Sequence, residues 1–398
     1  MNAPSLITQP SGHHNTPTTD VYRLAESSGL DTLNQLKTPW YLASFSALDR
    51  YYRKPAGENL YVMVRGSIVD LAREVADLTY PGLDQWDACL PSGEGAIHFR
   101  CVDEHEPIPQ FGFGVLDFLF DPRADVFLDR ADAYQELREK TVSARQPHEP
   151  GSLYEAAVLA ARYGLAVPQP DLPTHSADVM DIDNTGSAED ISPQLQRRLF
   201  IDLLTGEHGE QGLALLMKSG AVARLWPELQ PMNDTGHSKE HHPEGNVWEH
   251  TLETLRYRKT QNLTLAAALL LHDSGKPYSE RTRERAFDKH AEIGARTAER
   301  LLRRLGFSAG FVSDVDWLIR NHMLPGALHR LPTYRSERAM ASPLFPLLLE
   351  LYRCDLCSTY RGPDGYYRAC RVYRTFLKNR ANPFRSADGK KLLRLYVE

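Results

Sequence analysis

Six residues in the second half of the chain are of types that hold divalent metal ions: His250, His272, Asp273, His290, His322 and Asp355. Imidazole and carboxylate together suit Mn, Fe, Co, Ni, Zn or Mg, and this mixture does not choose among them. A divalent cation makes water a usable nucleophile at neutral pH, and a pair of cations can hold a phosphate and its leaving oxygen. His250, His272, Asp273 and Asp355 are enough for one ion. His290 and His322 could complete a second site, with Asp273 as the bridge. Asp273 and Lys276 are the expected catalytic residues, Lys276 as a point charge for a phosphate oxygen.

The elements that must position these residues read as helices. Residues three or four apart share a helix face. His322 continues the stripe Phe311, Val315, Leu318, and Asp355 continues Leu348 and Leu351/Tyr352. His250 follows Val247, and His272-Asp273 follows the apolar run Leu265 to Leu271. The six side chains are therefore expected to point inward from five helices. An unpaired buried carboxylate costs several kcal/mol or shifts its pKa, and a bound cation removes that cost. One inward histidine alone is more often a hydrogen-bonded core residue; the set of six argues for metal. Expected helices run roughly over 246–260, 263–273, 288–305, 309–322, 344–361 and 365–378. Upstream, Ser192 is an expected N-cap with Pro193 in the first turn. Leu195 to Leu204 is amphipathic, and Gly212 to Leu225 reads as one helix.

The first segment, from about Thr38 to Thr141, differs. Leu60–Val64, Ile97–Val102 and Val115–Phe120 read as short strands and Ile68 to Leu78 as a helix, so a small α/β unit is expected. Pro168 to Ser187 has the composition of an exposed linker.

Composition sets outer limits. A chain of 398 residues suggests two or three domains. With 42% hydrophobic and 25% charged residues, the balance is that of a soluble globular protein. The net charge of −6 argues against tight non-specific nucleic-acid binding without excluding an RNA partner. No apolar run reaches transmembrane length, so no membrane partner is expected. Met1 to Asp20 has no apolar signal core and reads as a disordered start. Five cysteines (Cys89, Cys101, Cys354, Cys357 and Cys370) make no disulfide framework, and a cytoplasmic location is the expectation. Cys354-x-x-Cys357 sits in an expected mid-helix position with no second pair, which excludes a four-thiolate zinc site. His237, His241 and His242 read as a solvated loop. Arg368, Arg371, Arg374, Lys378 and Arg380 could form a basic face for a phosphate backbone, although a solvated face is the commoner outcome.

The run from Leu269 to Lys276 (Leu-Leu-Leu-His-Asp-Ser-Gly-Lys), with His250 before it and Asp355 after it, resembles the HD phosphohydrolase superfamily. His242 to Thr251 resembles the "HPEGDVWTHT" entry to the HD domain of bacterial tRNA nucleotidyltransferases and poly(A) polymerases. His290 to Ala295 resembles their "HEExGA" turn, and Leu213 to Leu229 their "GLLxxLFPEL" neck. The resemblance runs from about Ser192 to Phe376, with several separated motifs in the same order. It implies an α+β chain: a small N-terminal α/β nucleotidyltransferase-like head, a helical neck and an all-α HD-domain bundle. The implied division is a disordered or extended N-terminus (1–37), a head (38–150), a helix and linker (151–191), a neck (192–235), an HD domain (236–380) and a tail (381–398).

The head departs from the family pattern. The nearest match to "GGAVRD" is Val64 to Asp70, where Arg65 replaces a glycine and Val69 the arginine. No Asp-x-Asp follows at the expected place; Asp84 and Asp87 are three apart, which on a strand puts them on opposite faces. The "RDFTINALAYD" stretch falls on Gln110 to Asp121 and keeps only its apolar pattern. A degenerate head is expected, with Gly66, Asp70, Asp84 and Asp87 as turn and surface residues; the alternative is a head that still binds a nucleotide or RNA end. The expected activity is metal-dependent hydrolysis of a phosphate ester, with one or two divalent ions. The ester would be a phosphomonoester, a 2′,3′-cyclic phosphodiester or a nucleotide. The alternatives are a CCA-adding tRNA nucleotidyltransferase or poly(A) polymerase with a diverged head, and a non-catalytic RNA- or nucleotide-binding protein. Expected partners are a phosphorylated small molecule, a nucleotide or an RNA end, tRNA included.

Overall fold

A computed structural model describes residues 5–7, 28–55, 59–80, 86–92, 95–103, 105–107, 110–145, 152–168, 192–236, 245–279, 287, 289–359 and 362–379. Asp84, His237, His241, His242, Arg380 and nearly all of the expected linker lie outside these residues. The chain divides into two compact units: Met1–Ala156 with Leu165–Ile191, and Ala157–Gly164 with Ser192–Glu398.

The first unit is built on a mixed sheet. Its described strands are β1 (Ser5–Ile7), β2 (Trp40–Ala43), β3 (Leu60–Arg65), β4 (Ala88–Ser92), β5 (Gly95–Val102), β6 (Leu119–Asp121) and β7 (Val126–Asp129). Their order is β1-β7-β6-β2-β3-β5-β4. Only β3 and β5 run parallel; such a pair needs a crossover, which here includes α3 (Ile68–Glu74). The other helices of this part are α1 (Ser28–Gln35), α2 (Ser44–Tyr51) and α4 (Tyr134–Glu139); α5 (Ser152–Tyr163) belongs to the first unit up to Ala156 and to the second from Ala157. The strands expected at Leu60–Val64 and Ile97–Val102 fall inside β3 and β5. Val115–Phe120 is a correction: Gly114–Asp117 form a 3-10 turn, and pairing starts at Leu119. The Asp117 carboxylate accepts the Phe111 N–H at 2.8 Å and pairs with Arg145, which folds the chain back on itself. Every residue from Phe111 to Phe120 is buried, so the apolar pattern alone resembled a core strand. Helix α3 stops at Glu74, short of Leu78, because Val75 adopts extended geometry. In the stretch expected to be disordered or extended, β1 pairs with β7 and α1 is helical.

The second unit is helical: α6 (Pro193–Thr205), α7 (Gly209–Lys218), α8 (Ala221–Leu225), α9 (Pro231–Asp234), α10 (Val247–Arg256), α11 (Leu263–Leu271), α12 (His290–Arg304), α13 (Ala309–Asn321), α14 (Leu324–Ala327), α15 (Thr333–Met340), α16 (Phe345–Cys357) and α17 (Asp364–Asn379). Ser192 caps α6 by accepting the Leu195 N–H at 3.3 Å. The segment Gly212 to Leu225 is two helices, broken at Gly220, whose φ of 77° suits glycine. α14 and α15 were not legible in the sequence. Helix α16 ends at Cys357, so Cys354 and Cys357 span its last turn and are not mid-helix.

At the centre lies α11. Asn262 caps it, accepting the Leu265 N–H at 2.9 Å. Every residue from Leu265 to Leu271 is buried, as expected of a helix that is apolar all round. It contacts α6, α10, α12, α13 and α16. Among the described residues no helix is long and apolar enough to cross a membrane.

Candidate metal centre

Five helices bring the six expected ligands together. His250 lies in the first turn of α10, whose start is set by Asn246; its Oδ1 accepts the Glu249 N–H at 2.7 Å. His272 and Asp273 form the turn that leaves α11. Gly275 lets that turn press against α12, because a Cβ there would lie 2.0 Å from the His290 carbonyl oxygen. His290 opens α12 after Phe287 and Lys289, both at positive φ (64° and 58°). That backbone is strained for non-glycine residues, and it places the Phe287 carbonyl against the His290 ring. His322 caps α13. Asp355 sits in the last turn of α16. This helix is tied to the end of α10 by Arg353, which forks onto Glu350 at 2.8 and 2.6 Å and donates to the Tyr257 carbonyl.

Five of the six side chains are buried; Asp355 is 27% exposed. Three rings are oriented by carbonyls three residues earlier. His272 Nδ1 lies 2.8 Å from Leu269 O, His290 Nδ1 2.8 Å from Phe287 O, and His322 Nδ1 2.7 Å from Ile319 O. A carbonyl only accepts, so each Nδ1 carries the proton and each Nε2 turns a lone pair inward. The inward atoms then face one another. His290 Nε2 and His322 Nε2 are 3.2 Å apart. His272 Nε2 is 3.2 Å from Asp273 Oδ2, and His290 Nε2 is 3.6 Å from Asp273 Oδ1. His250 Nε2 is 3.6 Å from Asp273 Oδ2 and 3.1 Å from Asp355 Oδ1. His272 Nε2 is buried with no hydrogen-bond partner among the described residues.

Acceptors packed against acceptors are stable only around positive charge. Protons fill this role poorly: burial lowers the His322 pKa to about 4 and lowers that of His290 as well. Burial opposes ionisation of Asp273, yet His272 and then Lys276 outweigh it and hold its pKa well below the usual carboxylate range. Asp355 is also held low: burial opposes its charge, and the His250 imidazole beside it prevails. Two triads have donor atoms within 4.8 Å of one another, His250/His272/Asp273 and Asp273/His290/His322. Asp273 belongs to both, and Asp355 adjoins the first through His250. The donor set, the orphaned His272 Nε2 and the ionised carboxylates all fit divalent cations. The Lys276 Nζ lies 2.5 Å from Asp273 Oδ2, so its ammonium is at the centre and engaged with that carboxylate.

The other residues singled out in the sequence lie elsewhere. Asp70 is committed to a capping box: it accepts from the Ser67 N–H at 3.3 Å and the Ser67 hydroxyl at 2.6 Å. Asp87 accepts the Cys101 N–H at 2.7 Å. Cys354 is buried beside the Arg353 guanidinium, and burial pushes its thiol pKa up. Arg368, Arg371, Arg374 and Lys378 are exposed on α17. Gly275, Ser358 and the Glu350–Arg353 pair were missed. Gly275 had a signal, its place in the His-Asp-Ser-Gly turn. The other two had none, because each acts between helices far apart in the chain.

The sequence model of the HD domain matches residues 247–354. That span holds five of the six residues and ends one short of Asp355. A CC-adding tRNA nucleotidyltransferase of Thermus thermophilus is 33% identical across 41% of this chain and 38% of its own length. A bifunctional uridylyltransferase/uridylyl-removing enzyme of Ruegeria pomeroyi is 31% identical across 32% of this chain and 16% of its own length. This chain therefore matches well under half the length of these relatives. A solved tRNA-processing enzyme (apo form I) shares the fold, with a TM-score of 0.51 at 13% identity over 88% of this chain and 90% of that one. Residues 247–354 therefore match the HD domain, and the fold of the chain is shared with that solved tRNA-processing enzyme.

Proposed function

We propose that the protein is a metal-dependent phosphohydrolase whose working centre is the HD site of its second unit. The observation that carries this is the convergence of imidazole lone pairs and two ionised carboxylates on one buried spot. His250, His272, Asp273 and Asp355 would hold one divalent ion; His290, His322 and the shared Asp273 would hold a second. When bound, such ions supply Lewis acidity, making water nucleophilic at neutral pH and offsetting charge on the ester oxygens. Lys276 holds Asp273 in its charged form and is placed to meet a phosphate oxygen as substrate enters. Asp355, 27% exposed where the other five are buried, would lie on the side open to that substrate. The substrate class is a phosphomonoester, a 2′,3′-cyclic phosphodiester or a nucleotide. We assign residues 38–150 as head, 192–235 as neck and 236–380 as the HD unit, and a cytoplasmic setting.

The test is metal content of the purified protein with a phosphatase and cyclic-phosphodiesterase screen across Mg, Mn, Ni, Co and Zn. Asp273→Ala should lower metal-dependent turnover by more than ~100-fold, beyond the losses that outer-shell changes cause. Turnover unchanged in that variant would sink the assignment. Bound metal without turnover in any condition would favour a binding role. The names of the relatives keep a transferase reading open. Against it, Asp70 and Asp87 are hydrogen-bonded within the first unit's own backbone and capping contacts. No incorporation of labelled CTP or ATP onto tRNA is expected; incorporation would restore the transferase reading.

A further inference from the structure

Three of the four imidazoles are oriented by backbone carbonyls, which no substitution removes. His250 differs. It lies within α10, and its Nδ1 meets a side chain instead, the Ser358 hydroxyl at 3.3 Å. Ser358 follows α16 directly and is buried. A hydroxyl has one hydrogen, and here it is committed: Ser358 Oγ donates to the Asp355 carbonyl at 2.7 Å. Toward His250 the oxygen can then only accept. Ser358 thereby favours the proton on His250 Nδ1 and a lone pair on Nε2, against the pull of Asp355 Oδ1, which lies 3.1 Å from Nε2 and would take a proton there.

We propose that Ser358 is a positioning residue that sets the metal-binding tautomer of His250. The inference rests on the metal-centre reading above. The relay runs from His250 Nδ1–H to Ser358 Oγ, and from Ser358 O–H to the carbonyl of Asp355, itself an expected ligand. One hydroxyl thereby couples two ligands on separate helices. Without it, the other tautomer gains the advantage. Nε2–H can then donate to Asp355 Oδ1, 3.1 Å away, and that proton occupies the direction a cation needs. Partners of this kind orient ligating histidines, and their loss typically weakens metal binding or activity by about 10–100-fold.

The experiment compares the full chain with Ser358→Ala, which removes the acceptor, and Ser358→Thr, which keeps a hydroxyl. Zinc affinity is measured by competition with a fluorescent chelator. The His250 tautomer is read in metal-free protein by long-range nitrogen NMR on histidine-labelled samples, and circular dichroism checks the fold. The expected result is zinc affinity weakened ~10–100-fold in Ser358→Ala, with the His250 proton moved toward Nε2 and with Ser358→Thr close to the starting protein. Unchanged affinity in Ser358→Ala would overturn the proposal, as would the same distribution of the His250 proton between Nδ1 and Nε2 in both proteins. A threonine variant as weak as the alanine one would reduce Ser358 to a packing role and also overturn it. If the starting protein binds no zinc or other divalent ion, the metal-centre reading fails separately, and the NMR still decides the role of Ser358.

Discussion

A buried imidazole can be a packing residue or a ligand, and its neighbours separate the two. His98 on β5 stacks on Tyr61 at 5.4 Å and meets a single side-chain oxygen, Asn59 Oδ1, at 3.2 Å. Burial alone lowers its pKa from 6.5 to about 4. His250, His272, His290 and His322 instead share their inward space with Asp273 and Asp355. The His98 shift has a consequence for stability. Between the folded and unfolded values the unfolded chain binds more protons, so stability rises with pH across that window. It is fully present above about pH 6.5 and is lost as pH falls toward about 4, amounting to ~3 kcal/mol at most. Urea unfolding of the first unit should therefore come at lower denaturant at about pH 5 than at about pH 7, and His98→Gln should narrow that difference. An equal pH dependence in the variant would place the acid sensitivity elsewhere.

At the scale of elements, the site depends on how closely two helices approach. Gly275 in the turn after α11 sits against the backbone of His290 and Gly294. Backbone cannot move aside as a flexible side chain can, so Gly275→Ala should push α12 away from the His-Asp turn. A loss above ~2 kcal/mol in thermal stability is expected, with divalent-metal affinity falling more than ~10-fold. Gly294→Ala should be milder, because its nearest contacts are at 3.2 to 3.4 Å. Equal tolerance of both substitutions would show that the turn and α12 are not held in contact. The cap of α10 acts more gently: Asn246→Ala should cost about 1 kcal/mol in thermal unfolding. The LWPEL segment also acquires a role at this scale. Glu228 pairs with Arg304 at 2.9 Å and Leu225 O accepts from the same guanidinium at 3.2 Å, which docks the end of α8 on α12.

For the whole molecule, the division into two units predicts that metal acts on one of them. A ligand that binds only the folded state stabilises it by about 2.7 kcal/mol at 100 times its dissociation constant. Calorimetry should show one transition that rises with added divalent metal and falls with a chelator, and another that stays in place. In Asp273→Ala neither should move. Equal movement of both transitions would contradict a site confined to the second unit.

The sequence by itself determined which residues could be ligands and that they come from helices. Five of the six follow an apolar residue, stripe or run at helical spacing, and His290 opens its own helix; helical periodicity carries that information locally. It also showed that no Asp-x-Asp pair stands where a transferase head would have one, after Val64 to Asp70. Other features needed the folded chain. Asp117 turns a buried apolar run away from strand geometry through contacts with Phe111 and Arg145, and β1 joins the sheet by pairing with β7, more than a hundred residues away. The grouping of the ligands into two triads around Asp273, the inward lone pairs, and the relay through Ser358 were decided only by tertiary structure. The physical reason is that periodicity records which face of a helix is buried. Which atom carries a proton depends on a partner from another helix, and for His250 that partner lies 108 residues along the chain.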